Sequence, residues 1–175
     1  MGSGVSILGV YQSDFARNWA KEKLELADAM REVVEGTLAD ANIGPEMIDS
    51  MHVGNAFGQL YTGQGHMGAL AASVIPELWG VPAMRHEAAC ASASMAVLGA
   101  MAEIECGRYD CVLVIGIEQE KTMPGNQAAR VQEAAAWVGH DTGETDYIWP
   151  HTFNEIAGEY ERRYGLDTQY LRGIG

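Results

Sequence analysis

No stretch of this sequence approaches the roughly twenty consecutive uncharged apolar residues that a membrane-crossing helix needs. The N-terminus lacks the basic-then-apolar order of a secretory leader. Cysteine is scarce, with three residues at positions 90, 106 and 111, an odd count that contains no Cys-x-x-Cys pair. That pattern argues against a disulfide framework or a thiolate zinc site and points to a reducing cytoplasm. Basic residues are also few, 11 Lys and Arg against 24 Asp and Glu, for a net charge of −13. So acidic a surface does not neutralise phosphates, which argues against nucleic acid as a partner. A polyanionic ligand would need a local cluster from Arg85, Arg130, Arg162 and Arg163, a helix N-terminus, or basic residues of another chain. Gly63, Gly65 and Gly68 lack the spacing of a phosphate loop.

What remains is an ordinary globular composition, 47% apolar over 175 residues, rich in Gly and Met. That is the length of one domain with a real core. Residues 5–11 (VSILGVY) read as a short buried strand. Residues 24–42 read as an amphipathic helix carrying Ala27, Met30, Val34, Leu38 and Ala41 on one face, stopped by Gly44-Pro45. Further strands are expected at 50–54, 83–89 and 110–117, with a loop and an interrupted helix over 63–80 and a third helix over 90–106. Strands alternating with helices imply a mostly parallel α/β sheet. Residues 120–150 carry no clear period and read as a long excursion. Thr152-Phe153-Asn154-Glu155 has the form of a capping box opening a helix that Gly165 ends, and Asp167-Thr168 caps another. The organisation expected is residues 1–118 as the body, with 119–175 as an excursion and the start of a connection onward.

The segment CASASMAVLGAMAEIEC is the most informative. From Ala91 to Ala102 its only polar residues are Ser92 and Ser94, and many of the others are small. A helix apolar all round is expected to be buried on every side. One sheet covers one face only, so the far side calls for an oligomeric partner or a second sheet that these residues do not supply. Cys90 opens this helix. Helix-terminal N–H groups favour an anion there, thiolate is the nucleophilic form of cysteine, and the same N–H groups can stabilise an oxyanion. The competing reading is a small buried hydrophobe, the common fate of free cysteine.

Glu87-Ala88-Ala89-Cys90-Ala91-Ser92-Ala93 resembles the nucleophile segment of the thiolase superfamily, of the sterol-carrier-protein type, which usually reads E-A-A-C-A-S-G. Ile48-Asp49 with Val53-Gly54-Asn55, and the strand from Gly107 to Glu118, match further landmarks, and residues 151–171 resemble the stretch after the pantetheine-binding loops. The resemblance runs along nearly the whole chain in order. It implies the N-terminal half of a layered αβαβα fold. It also implies an acyl-CoA acyltransferase in which Cys90 takes an acyl group from a coenzyme A thioester, for carbon–carbon bond formation or thiolytic cleavage in lipid metabolism. No permanently bound cofactor is implied. The partners implied are acyl-CoA and either a homo-oligomer or a complementary C-terminal half, which carries the family's remaining catalytic residues. A non-catalytic subunit or fragment, or a related ketoacyl synthase, are the alternatives. Ala93 stands where the family has Gly, so the turn beside the nucleophile differs. His151 is either an acid/base or pantetheine contact or a loop residue without a role. His86 reads as structural, Cys106, Cys111, Met67, Met84, Met95 and Met101 as core. His140, Asp141, Glu144 and Asp146 lack a metal-ligand spacing.

Overall fold

The computed structural model describes residues 4–141 and 145–174. It divides into two compact units, Met1–Pro124 and Gly125–Gly175.

The first unit is built on a three-stranded parallel sheet in the order β2-β1-β3, with β1 Ser50–Gly54, β2 Ala83–His86 and β3 Val112–Gly116. Helix α1 (Leu26–Ala41) buries Leu26, Ala29, Met30, Val34 and Leu38, the stripe that a 3.6-residue period lays on one face. Short helices α2 (Gly58–Thr62) and α3 (Met67–Val74) lead from β1 to β2. Helix α4 (Ser92–Glu105) leads from β2 to β3. Because side chains alternate along a strand, Met51, Val53, Leu113 and Ile115 enter a core with α1 and α3. The intervening Ser50, His52 and Gly54 face α4. Burial of each large side chain in that core contributes about 1.5–3 kcal/mol.

Several expectations need correction. Residues 5–11 form no strand. Ile7, Leu8 and Val10 are exposed, and the segment is tied to α1 instead, with the Val10 N–H donating to Asp40 Oδ2 at 2.8 Å and the Tyr11 hydroxyl to Glu32 Oε1 at 2.9 Å. A strand exists only where a neighbour accepts its backbone bonds, and hydropathy alone does not name that neighbour. Helix α1 starts at Leu26 and ends as expected, but the residue that stops it is Asn42 in the left-handed conformation (φ 52°) and not Gly44, a role the short Asn side chain tolerates. Most importantly, α4 is buried along one face only. Ser92, Ala96 and Ala100 pack on the sheet, while Met95, Val97 and Leu98 are 43, 45 and 55% exposed. The single sheet covers what one sheet can cover. Met84 is exposed as well, Met101 half-buried, and only Met67 of that group is fully enclosed. Cys106 is exposed and is not a core residue, whereas Cys111 is half-buried and packs against the edge of the core.

The second unit holds α5 (Gly125–Gln132), α6 (Ile148–Tyr164) and α7 (Thr168–Arg172). Trp149 Nε1 donates to the Gln132 carbonyl at 3.1 Å, and Arg130 pairs with Asp146 at 2.9 Å. Helix α6 starts at Ile148, so Thr152 and Glu155 lie inside it and form no capping box. Pro150 is accommodated because N–H groups in a first turn have no helical acceptor anyway. Gly165 ends α6, and Asp167 caps α7 by accepting from the N–H of Gln169 at 2.9 Å. Among the described residues no helix is long and apolar enough to cross a membrane.

Candidate active site

The three strands run parallel, so their carboxyl ends gather at one edge, and the helices that follow them lie on opposite faces. Such a point leaves a crevice between loops. Three loops meet there: 55–57 after β1, 87–91 after β2 and 117–121 after β3.

The loop after β2 carries Cys90. Ala89–Ala91 is one turn of 3-10 helix running directly into α4. Ala89 adopts φ 48°, a left-handed conformation that costs a residue with a Cβ about 1 kcal/mol or more. Its neighbours brace it. Ser92 is buried, and its hydroxyl accepts from the Ala88 N–H at 3.0 Å and donates to the Ala89 carbonyl at 2.7 Å. Glu87 Oε1 accepts from the Ala89 N–H at 2.6 Å. The result is a sharp turn that leaves Cys90 exposed at the head of α4.

The loop after β1 is pinned from both sides. Glu118 Oε2 accepts from the N–H groups of Ala56 and Phe57 at 2.9 and 3.0 Å, and its Oε1 accepts from Asn55 Nδ2 at 3.0 Å. From β2, Arg85 donates to the carbonyls of Asn55 and Ala56 at 2.9 and 2.7 Å. Asn55 is fully buried and also donates to the Ile117 carbonyl at 2.7 Å. A cavity of about 620 Å³ opens between these loops, lined by Cys90, Phe57, Ile117, Glu118 and the segment 13–20.

Residues 5–165 match the family model described as thiolase, N-terminal domain. The chain belongs to the thiolase family. It is 31% identical over 171 residues to the acetyl-CoA acetyltransferase of Methanothermobacter thermautotrophicus, a match covering 95% of this chain and 42% of that protein. It is 33% identical over 175 residues to that of Methanocaldococcus jannaschii, covering 95% and 41%. Human sterol carrier protein 2 is 30% identical over 182 residues, covering 98% of the chain and 31% of that protein. The chain therefore spans about two fifths of the length of the acetyltransferases it matches.

Ala93, the departure from the thiolase pattern, has its physical setting in the sheet. Gly54 and Gly116 are register partners on β1 and β3. A Cβ on Gly54 would lie 2.5 Å from Ala93 Cα, and one on Gly116 would lie 3.3 Å from Ala93 Cβ. Gly116 leaves room for the Ala93 methyl, whereas Gly54 is required by the backbone of the helix head whatever residue stands at 93.

Beneath α4 lies a cluster that sequence reasoning missed. His52, fully buried, has Nδ1 2.8 Å from His86 Nε2 and Nε2 2.8 Å from Glu103 Oε2. The rings stack at 4.9 Å and 14°, and Gly99 leaves the space, since its Cβ would meet His52 Nδ1 at 2.8 Å. The strand positions of His52 and His86 could have paired them; the i, i+4 logic that places Gly99 and Glu103 on one helix face supplies the rest. Burial, then the nearby His52 charge, lowers the His86 pKa below its ordinary 6.5. Burial raises Glu103, but the His52 bond and charge outweigh it and leave the carboxyl below its ordinary 4.5. Both shifts mean that the unfolded chain binds more protons than the folded one. Stability is therefore full above pH about 7, begins to fall as pH drops through 6.5 on account of His86, and falls again below 4.5 on account of Glu103. Urea midpoints measured from pH 8 to 4 should follow this course, and in His86→Gln the loss around pH 6 should disappear. A midpoint flat down to pH 5 in the parent protein contradicts it.

The remaining candidates are distributed elsewhere. His151 lies in the first turn of α6, half-exposed, with Nε2 3.3 Å from Glu155 Oε1. The four arginines do not form a free cluster: Arg85 holds the loop after β1, Arg130 pairs with Asp146, and Arg162 and Arg163 share Glu159. His140 stacks on Trp137 at 4.0 Å, and Asp141 accepts from the Trp137 N–H at 3.2 Å. Glu144 falls outside the described residues. The segment 13–20, which forms one wall of the cavity, carried no periodicity by which to find it.

Proposed function

We propose that this chain supplies the nucleophile of a thiolase-type acyl-CoA acyltransferase, and that Cys90 is that nucleophile. The observation that carries the reading is the placement of Cys90 on the braced left-handed turn at the head of α4, opening on the cavity between the strand ends. The Cys90 thiolate attacks the thioester carbonyl, and the positive end of the α4 dipole favours the developing oxyanion. The bond from the carbonyl carbon to the coenzyme A sulfur then breaks. Coenzyme A leaves as a thiolate and takes up a proton, and the acyl group remains on Cys90 for transfer to a carbon acceptor or back to coenzyme A.

The proposal includes a partner. The open apolar face of α4 and the two-fifths coverage of the relatives support a second layer from a complementary C-terminal half, a further copy, or both. His151 enters it as an acid/base or pantetheine contact. Three free cysteines suit a reducing compartment, and acyl-lipid metabolism is the setting. The same open face favours one alternative, a non-catalytic subunit whose role is assembly.

Exchange of labelled coenzyme A into acetyl-CoA separates the two, because exchange without an acceptor requires an acyl-enzyme. The protein purified with its accompanying subunits should catalyse exchange, and His151→Gln should slow it about tenfold or more. No exchange in that assembly favours the assembly role. Exchange unchanged in His151→Gln leaves that residue as the surface partner of Glu155.

A further inference from the structure

Towards its C-terminal end, helix α4 meets the sheet through a hydrogen-bonded chain of Glu103 on the helix, His52 on β1 and His86 on β2. Apolar side chains hold a helix there as well, and at every pH. The polar chain brings a proton count with it. Two ring nitrogens 2.8 Å apart need one N–H and one lone pair between them. Glu103 Oε2, 2.8 Å from His52 Nε2, takes the N–H of that ring. In the neutral pair His52 Nδ1 is therefore bare and accepts from the His86 Nε2–H. One further proton finds room on His86 Nδ1. A second has only His52 Nδ1 left, where it sets two N–H groups against each other at 2.8 Å and two cationic rings at 4.9 Å. Neither ring has space to turn away, because His52 is fully buried and Gly99 of α4 lies against both: a Cβ on it would stand 2.8 Å from His52 Nδ1 and 2.9 Å from His86 Cε1. Separation requires α4 to lift from the strands.

Few other groups bear on the pair. Arg108, just after α4, helps to hold the Glu103 carboxyl in its charged form. On β3 the register partners of Ser50 and His52 are Val112 and Val114, and on β2 the partner of His52 is Met84. Ser50 is buried and uncharged. Arg85, next to His86, is turned to the carbonyls of Asn55 and Ala56. The Glu103 side chain is 18% exposed, so protons from solvent reach the chain. At the head of α4 the contacts do not titrate: Ala93 lies against Gly54 and Gly116, and Ser92 is bonded into the turn.

We propose that His52, His86 and Glu103 form a proton-operated clasp: α4 is seated on β1 and β2 while the histidine pair carries at most one added proton, and a second proton releases the tail of the helix, residues 99–105, with its head still anchored. The clasp is independent of the role proposed for Cys90. The tail adjoins Met95, Val97 and Leu98, so its release in acid reshapes the open apolar face of the same helix.

The test reads amide hydrogen exchange, residue by residue, on the protein purified with its accompanying subunits at about pH 7.5 and about pH 5, the pH range over which histidine titrates, each rate corrected for the intrinsic effect of pH. Residues 100–105 should lose at least about tenfold in protection in acid, while residues 96–98 and β1 lose clearly less. His86→Gln, whose side-chain amide can donate to His52 Nδ1 but takes up no proton, should keep the tail protected at both. Glu103→Gln leaves an acceptor for His52 Nε2 but removes the charge that favours an imidazolium, so release should move to lower pH. Equal protection at both pH values in the parent overturns the proposal, as does release in His86→Gln matching the parent's, or an unmoved release in Glu103→Gln. Loss over α1 and β1 to the same degree as the tail makes the acid transition global and overturns it too. Should His86→Gln fail to fold, the imidazole nitrogen shifts of the parent decide. In the neutral pair both rings should carry their proton on Nε2, and a neutral His52 protonated on Nδ1 contradicts the count.

Discussion

Replacing Cys90 with alanine is expected to lower coenzyme A exchange by at least about a thousandfold while leaving the thermal midpoint within a degree or so of the parent. The two halves of this expectation have separate physical grounds. Activity is lost because no other thiol can substitute. Cys106 lies beyond the far end of α4, a 14-residue helix and therefore about 20 Å long, and its Sγ is turned to the Glu103 carbonyl at 3.3 Å. Cys111 is half-buried, and burial, then the Asp49 charge, pushes its thiol up, away from the reactive thiolate. Stability is kept because Cys90 is exposed and its side chain makes no core contact to lose. Exchange and a melting curve, measured on the same preparation, check both. Substantial exchange in Cys90→Ala refutes the assignment, whereas a large fall in midpoint would make the loss of exchange a folding effect.

Gly54→Ala is expected to cost about 3 kcal/mol of stability and to slow labelling of Cys90 by thiol reagents. The added Cβ would stand 2.5 Å from Ala93 Cα, 2.6 Å from Ala93 N and 2.8 Å from Ser92 C. All three are backbone atoms, so no rotamer change relieves the overlap, and the head of α4 must move off the sheet. That displacement reaches Cys90 directly, because the clashing residues, Ser92 and Ala93, lie two and three positions after it and Ser92 braces the turn. Gly158→Ala is the control. A Cβ there meets nothing within 4 Å, and a helical position gains about 0.5–1 kcal/mol from alanine. Urea unfolding of the three proteins compares them, and a Gly54→Ala protein as stable as the parent contradicts the packing described.

Those two substitutions also mark how far the sequence could be read. The strand at residues 50–54 and the helix following Cys90 were legible because their patterns are local: a short apolar run ended by Gly, and a long stretch of small apolar residues begun by Cys. That one sheet covers only one face of α4 was legible too, since it follows from counting apolar faces. Residues 5–11 misled because a β-rich run shows the propensity for a strand but not the neighbour, and here Asp40 and Glu32 of α1 take its polar groups. Helix α5 was missed because GNQAARVQ is short and polar on average, and the start of α6 was misplaced because Pro150 reads as a stop when it can equally stand in a first turn. At the candidate site, Cys90 was singled out by its position at the strand-helix junction, but the groups that shape its surroundings were not. Glu118 closing on the N–H groups of Ala56 and Phe57 spans sixty-odd positions, and Lys121 reaching the carbonyls of 15–17 spans more than a hundred. Such contacts are fixed by the sheet order, which no single segment encodes.

The most direct measurement is the site of the covalent adduct. Brief incubation with an acyl-CoA, acid quenching and peptide mapping should give one acyl group per chain, labile to neutral hydroxylamine as a thioester is, on the peptide containing residue 90. An adduct on Cys106 or Cys111 instead, or a protein that turns over acyl-CoA with Cys90 unmodified at every time point, would contradict the account.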